Sequence, residues 1–157
     1  RQSHLMRLIG ELARVRPQRD EQEKGLATAL HEVAQRVHKR GLMIVISDFL
    51  TERDPVVSGL HHLRFRGHDV VCFQVLDWTE VEFPFEQVTR FEDPETKQTL
   101  TTNPLAVRSG YLQALEEFTR AYRDATALMR ADFVQVHTAM TFDRALMEYL
   151  LNRRRRG

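Results

Sequence analysis

The chain has 157 residues, the length of one domain or part of one, and at 42% hydrophobic and 29% charged it has the balance of a soluble globular protein, which excludes a disordered chain. Its 23 basic and 22 acidic residues leave a net charge of +1, which excludes the broad positive field of a nucleic-acid binder. One cysteine, Cys72, rules out an intrachain disulfide and a Cys-based zinc site. The longest purely apolar run, Leu42 to Ile46, is far short of the roughly 18 residues a membrane helix needs, and no signal peptide is visible.

In chain order, Leu5, Leu8, Ile9, Leu12 and Val15 recur at helical spacing, and Arg16-Pro17 ends that helix because proline has no amide and crowds the preceding turn. A second helix is expected from Asp20, where Asp20 and Glu23 form a variant capping box. Its stripe is Leu26, Leu30, Val33 and Val37, and it exits through the basic run His38-Lys39-Arg40 to Gly41. The period then changes. Leu42 to Ile46 is continuous and β-branched, which predicts a strand buried on both faces as in a parallel sheet. Asp54-Pro55 opens a helix with Val56, Val57, Leu60, Leu63 and Phe65 inward, closed by Gly67. Asp69 to Leu76 is a second strand, so residues 42 to 76 read as one βαβ crossover.

Residues 79–103 break the pattern. Val81, Phe83 and Phe85 alternate with Glu80 and Glu82, which predicts an extended segment. Val88 to Phe91 and Thr99 to Thr101 flank a turn at Asp93-Pro94-Glu95-Thr96, an inserted β-hairpin. Asn103-Pro104 caps a long helix whose predicted buried face is Leu105, Leu112, Leu115, Phe118, Tyr122, Ala125 and Met129. Asp132 to His137 is a third strand. Thr141 caps a last helix with Phe142, Ala145, Leu146, Tyr149 and Leu150 inward, and 153–157 is a solvated basic tail.

Ligands of open parallel sheets sit beyond the carboxyl ends of the strands. Those ends here carry Ser47-Asp48, Asp77, and Thr138 with Thr141. Asp48 and Asp77 are oxygen ligands of the kind Mg²⁺ takes, and equally the kind of carboxylate that caps helices. No glycine-rich phosphate loop follows a strand, and no G-x-S-x-G elbow occurs. Cys72 falls mid-strand, a poor place for a nucleophile. His61, His62 and His68 are expected on the surface, because neighbours 61 and 62 point apart on a helix and His68 lies beyond the Gly67 turn. Trp78 and Phe83-Pro84-Phe85 are expected to seal the underside of the hairpin, or else to form an exposed docking edge.

Three stretches in this order, Arg40–Asp77, Glu80–Leu100 and Asp132–Arg156, carry a combination of a "SD" strand end, a "RGHDV" turn, "FQVLD" and an F-x-D-x-E-T hairpin. In that combination the chain resembles the C-terminal part of the bacterial domain-of-unknown-function family number fifty-eight, whose members look like von Willebrand factor type A domains. The resemblance implies an α/β fold with a doubly wound, mostly parallel, Rossmann-like sheet. It also implies a metal-ion-dependent adhesion site built from an Asp-x-Ser-x-Ser loop, a Thr and a later Asp. Asp48 matches that later Asp. No D-x-S-x-S occurs, and the Thr position falls near Lys24-Gly25, with Thr28 one helical turn on. The metal-proximal residue is therefore Asp48, with Ser47, Asp77 and Thr138 as rim or ligand-docking residues.

The resemblance further implies a single domain over 1–157 that is incomplete at its N-terminus, a fragment whose strand at Leu42 lacks a neighbour. The alternative is a shortened domain that covers that edge with its first helix. Implied too are a non-catalytic, adaptor role beside a MoxR-type AAA+ ATPase and an unknown client protein, and Mg²⁺ in the full-length parent with none in this fragment. The expected location is cytoplasmic, with any membrane anchor in segments outside this chain and no nucleic-acid partner. The competing readings are a Mg²⁺-dependent phosphotransferase or hydrolase using Asp48 and Asp77, and a purely structural domain without metal.

Overall fold

A computed structural model describes residues 2–15, 25–93, 96–141, 143, 144, 147, 149 and 150. The switch from helical to strand periodicity at residue 42 is where the sheet begins. The strands are β1 (Leu42–Ser47), β2 (Asp69–Leu76) and β5 (Asp132–His137), in the order β1-β2-β5 and all parallel. Val45 stands opposite Cys72 and Ile46 opposite Phe73. Cys72 in turn faces Phe133, and Leu76 faces His137. The fold is therefore α/β with a parallel sheet.

The helices are α1 (Gln2–Arg14), α2 (Leu26–Arg36), α3 (Arg53–Phe65), α4 (Trp78–Glu82) and α5 (Pro104–Leu128). Both crossover helices, α3 and α5, touch each other and their following strands. They share a face of the sheet, as two crossovers of one hand stepping the same way require. That face carries the core: Val45, Val70, Cys72 and Phe133 pack against Leu30, Ala34, Val56, Leu60, Leu63 and Tyr122. Helix α2 lies on α3 at Gly59, where an added Cβ would stand 2.8 Å from the Leu30 Cβ. Gly67 ends the α3 exit at φ +86, a conformation that costs a residue with a Cβ but not glycine.

Several elements depart from the sequence expectation. Helix α2 stops at Arg36, five residues before Gly41, because Val37 is already extended (φ -93, ψ 105) and its carbonyl lies 3.2 Å from His68 Nε2. The expected start at Asp20 and Glu23 lies outside the described residues, as do Phe142, Ala145, Leu146 and the 153–157 tail. Strand β1 is not buried on both faces. Leu42, Ile44 and Ile46 are 50%, 56% and 69% exposed, because among the described residues β1 is the sheet's edge and these three alternate away from the helix layer. Phe65 and Leu105 are exposed at the ends of their helices. The buried face of α5 instead includes Thr119 and Thr126, and the Thr126 hydroxyl donates back to the Tyr122 carbonyl at 2.9 Å. Of the last helix, Tyr149 packs its ring on Phe73 at 5.9 Å, whereas Leu150 is exposed.

The segment after β2 is the largest correction. Trp78 to Glu82 is a helical turn rather than an extended strand, since Asp77 and Glu80 form a reciprocal capping box. The hairpin follows as β3 (Thr89–Glu92) and β4 (Thr99–Thr102), antiparallel, with Phe91 opposite Leu100. Phe83 is the seal expected of this stretch. It is buried, with ring centroids 5.2 Å from Phe85, 6.0 Å from Phe91 and 4.7 Å from Tyr111 of α5. Trp78 stays 40% exposed.

Candidate functional site

The parallel register fixes the first feature of the rim. Ser47 is level with Gln74, so Asp48 follows β1 at the level of Val75, and Asp77 follows β2 two residues on, at the same carboxyl edge. Thr138, after β5, completes that edge. Its amide donates to the Leu76 carbonyl at 3.0 Å, its hydroxyl oxygen accepts the Trp78 amide at 3.0 Å, and its hydroxyl donates to Asp77 Oδ2 at 3.0 Å. Asp77 and Thr138 are thus brought together, and Ser47 and Asp48 form the neighbouring part of the lip.

The two carboxylates differ in how much of each is already used. Asp77 Oδ1 accepts the Thr79 amide at 2.8 Å and the Thr79 hydroxyl at 2.6 Å, and Oδ2 accepts from Thr138. These bonds, led by the Thr79 hydroxyl, hold the Asp77 pKa below its usual value. A carboxylate so saturated is a helix cap and a weak proton acceptor. Asp48 is exposed, and its Oδ1 accepts the Leu50 amide at 3.1 Å and lies 3.4 Å from the Ser47 hydroxyl. The Ser47 oxygen accepts the Phe49 amide at 3.1 Å.

What fixes Asp48 in place is the residue after it. Phe49 has φ 62, in the left-handed region, and is fully buried. A bulky residue there is a strained outlier, held by its surroundings. Its ring meets Tyr122 at 5.2 Å and Phe133 at 5.4 Å, so the lip is pinned to α5 and β5 through the core. A second tether is polar. The Gln74 amide donates to the Asp48 carbonyl at 3.3 Å, the buried Thr119 hydroxyl donates to Gln74 Oε1 at 3.2 Å, and the Gln135 amide lies 3.4 Å from the Thr119 oxygen. Sequence reading missed this ladder. The signal was there: Gln74 and Gln135 interrupt two apolar strands at positions one strand apart in register.

Between the lip and α5 run two hollows that share Phe118 in their linings. One, of about 300 Å³, is lined by Leu50, Leu76, Glu80, Tyr111, Leu115 and Phe118 among others. The other, of about 430 Å³, lies against Glu52, Arg53, Asp54 and Ala121. Arg53 is bound to its neighbour Asp54 at 2.9 Å. It stands at the start of α3, while Lys24 lies outside the described residues.

The remaining sequence candidates resolve as follows. Among the described residues no three His, Cys, Asp or Glu side chains converge on a point that holds a metal ion. Mg²⁺ is small and strongly hydrated and takes several oxygen ligands, so a site at Asp48 needs donors besides this carboxylate. Thr28 sits exposed on α2. Cys72 is buried, and burial, followed by the charge of Asp132, pushes its thiol up to about 12. The histidines are not all on the surface. His68 is fully buried, and His62 faces His31 across the α2–α3 contact with Nδ1 atoms 3.1 Å apart. Of His61, His62 and His68, the exposed one is His61, as expected.

The family model described as "Protein of unknown function DUF58" matches residues 1–127. The chain belongs to that family. The match takes in β1, β2, the capped turn, the hairpin and nearly all of α5, and stops before β5 and Thr138. No curated protein and no solved structure matches the chain. Within this DUF58 chain no helix of the described residues is long and apolar enough to cross a membrane.

Proposed function

We propose that this DUF58 chain is a non-catalytic protein-interaction module of von Willebrand factor type A-like fold, acting as an adaptor beside a MoxR-type AAA+ ATPase and a client protein. The observation that carries the reading is the lip. Asp48 stands exposed at the carboxyl end of an edge strand, held by the buried, strained Phe49 and the Gln74 tether, beside an apolar groove. A carboxylate fixed from below and open above is preorganised for a partner's polar group. In a longer parent chain, Asp48 is the carboxylate this segment would contribute to a Mg²⁺ site whose other ligands come from elsewhere. A cytoplasmic setting goes with such a partner.

The alternative, a Mg²⁺-dependent phosphotransferase or hydrolase using Asp48 and Asp77, needs in addition a base or nucleophile and a phosphate-binding cation at the same rim. The three hydrogen bonds that Asp77 accepts and its lowered pKa support a helix cap in preference to a proton-accepting role. The test measures binding of a purified MoxR-type ATPase from the same genome to the wild type and to Asp48→Ala, by biolayer interferometry. Binding is expected, and weaker for the variant. Absence of binding at about 100 μM, a concentration that detects even weak transient complexes, overturns the reading. So does Mg²⁺-dependent phosphoester turnover that Asp48→Ala abolishes.

A further inference from the structure

The groove between the lip and α5 combines two properties. Its floor is apolar: Leu50, 57% exposed, faces Tyr111, Leu115 and Phe118. Its walls are acidic. Glu80 lines one hollow, and Glu52 and Asp54 line the other. Asp48 belongs to the same loop. The one base among the lining residues, Arg53, is already bound to Asp54. The chain as a whole carries +1, so this negative charge is a local concentration beside apolar surface.

We propose that the groove binds a peptide segment of a partner protein in which a bulky apolar residue and an Arg or Lys lie two or three residues apart. This deepens the adaptor reading and rests on it. The spacing comes from the helix. The α5 residues lining the apolar hollow run from Tyr111 to Phe118 and those lining the acidic one are Phe118 and Ala121, so their midpoints lie about five residues apart on α5, about 7.5 Å at 1.5 Å per residue. An extended peptide covers that distance in about two to three residues at 3.3 Å each. The apolar side chain enters beside Leu50 and Phe118, and the cation reaches Glu52 and the free oxygen of Asp54. The wall charge excludes acidic segments, which gives the groove selectivity as well as affinity.

The test uses synthetic eight-residue peptides of Gly and Ser carrying Leu-Ala-Ala-Arg, the reversed order Arg-Ala-Ala-Leu, and versions with Leu replaced by Ala or Arg by Glu. Binding to the ¹⁵N-labelled chain is followed by amide shifts. One order of the Leu/Arg peptide is expected to shift the amides of Leu50, Tyr111 and Leu115. Replacing its Leu by Ala should weaken binding about tenfold, the worth of one buried aliphatic side chain. Two exposed substitutions carry the control. Leu50→Asp should leave the thermal midpoint unchanged and weaken the Leu/Arg peptide. Glu52→Lys should weaken the Leu/Arg peptide by about threefold, the scale of an exposed ion pair, and improve the Leu/Glu peptide by as much.

The proposal is overturned if neither order binds at about 1 mM, the weak end of peptide recognition. It is equally overturned if the shifts fall outside the groove, or if binding ignores both substitutions. Failure here with retained, Asp48-dependent binding of the ATPase would remove the groove and leave the adaptor reading standing. Peptide binding without ATPase binding would do the reverse.

Discussion

Phe49 is buried among aromatic rings yet held at φ 62, so its side chain and its backbone pull stability in opposite directions. Replacing it by alanine removes a fully buried ring touching Tyr122 and Phe133, a loss of about 3–5 kcal/mol. Replacing it by glycine removes the same ring and also the Cβ that makes the left-handed conformation costly, a relief of about 1–2 kcal/mol. Glycine's greater freedom in the unfolded chain costs about 0.5–1 kcal/mol in return. The balance leaves Phe49→Gly more stable than Phe49→Ala by up to about 1.5 kcal/mol, the reverse of the order at an ordinary site. Urea unfolding followed by circular dichroism at 15 °C resolves this, since such a difference moves the midpoint by about 0.5 M. Should either variant unfold without urea, a fixed concentration of trimethylamine N-oxide added to both restores the folded baseline. If Phe49→Ala is the more stable of the two by about 0.5 kcal/mol or more, the strain at the lip is refuted.

Other expectations follow from the same geometry. Gly59→Ala should lose about 1 kcal/mol, because its Cβ meets the Leu30 Cβ at 2.8 Å. Gly110→Ala, with nothing within 4 Å on the same kind of helix, should gain about 0.5–1 kcal/mol, and equal gains at both sites would refute the tight α2–α3 contact. Asp77 has its pKa lowered in the fold, so the stability it contributes is present above the ordinary carboxylate value of 3.8 and is lost as pH falls below it. Asp77→Asn should therefore flatten the acid limb of the urea midpoint against pH, and a steeper limb would contradict the capping role. Cys72, with its thiol raised to about 12, should resist a disulfide reagent at pH 8 in the native chain and react promptly in 6 M urea, and fast native labelling would show the strand to be open.

The parallel unit was legible because its sequence carries two periods that are hard to confuse: continuous β-branched runs at 42 and 69, and a 3.6-residue stripe between them. The strand-end residues Ser47, Asp48, Asp77 and Thr138 followed from that, since strand direction alone sends them to one edge. The α4 turn was not legible as helix because Val81 alternates with Phe83 and Phe85 beyond its end. Its real signal was chemical, the Asp77–Glu80 capping box. The exposure of Leu42, Ile44 and Ile46 was hidden for another reason. A β-branched run reads alike in a central strand and an edge strand, and the neighbour count belongs to the sheet. Nor does any periodicity announce that Phe49 turns left-handed, because that conformation is imposed by the rings waiting for it in the core. The groove likewise joins Leu50 to residues of α5 some sixty positions away.

The plug beneath Asp48 separates two kinds of freedom. A carboxylate whose address is set by a ring in the interior does not depend on the residues that surround it in solvent. Substitutions at Leu50, Thr51 and Glu52 change the character of the solvent side of the lip, while the acid stays at the same coordinates. The interior thus sets the anchor point independently of the vocabulary around it.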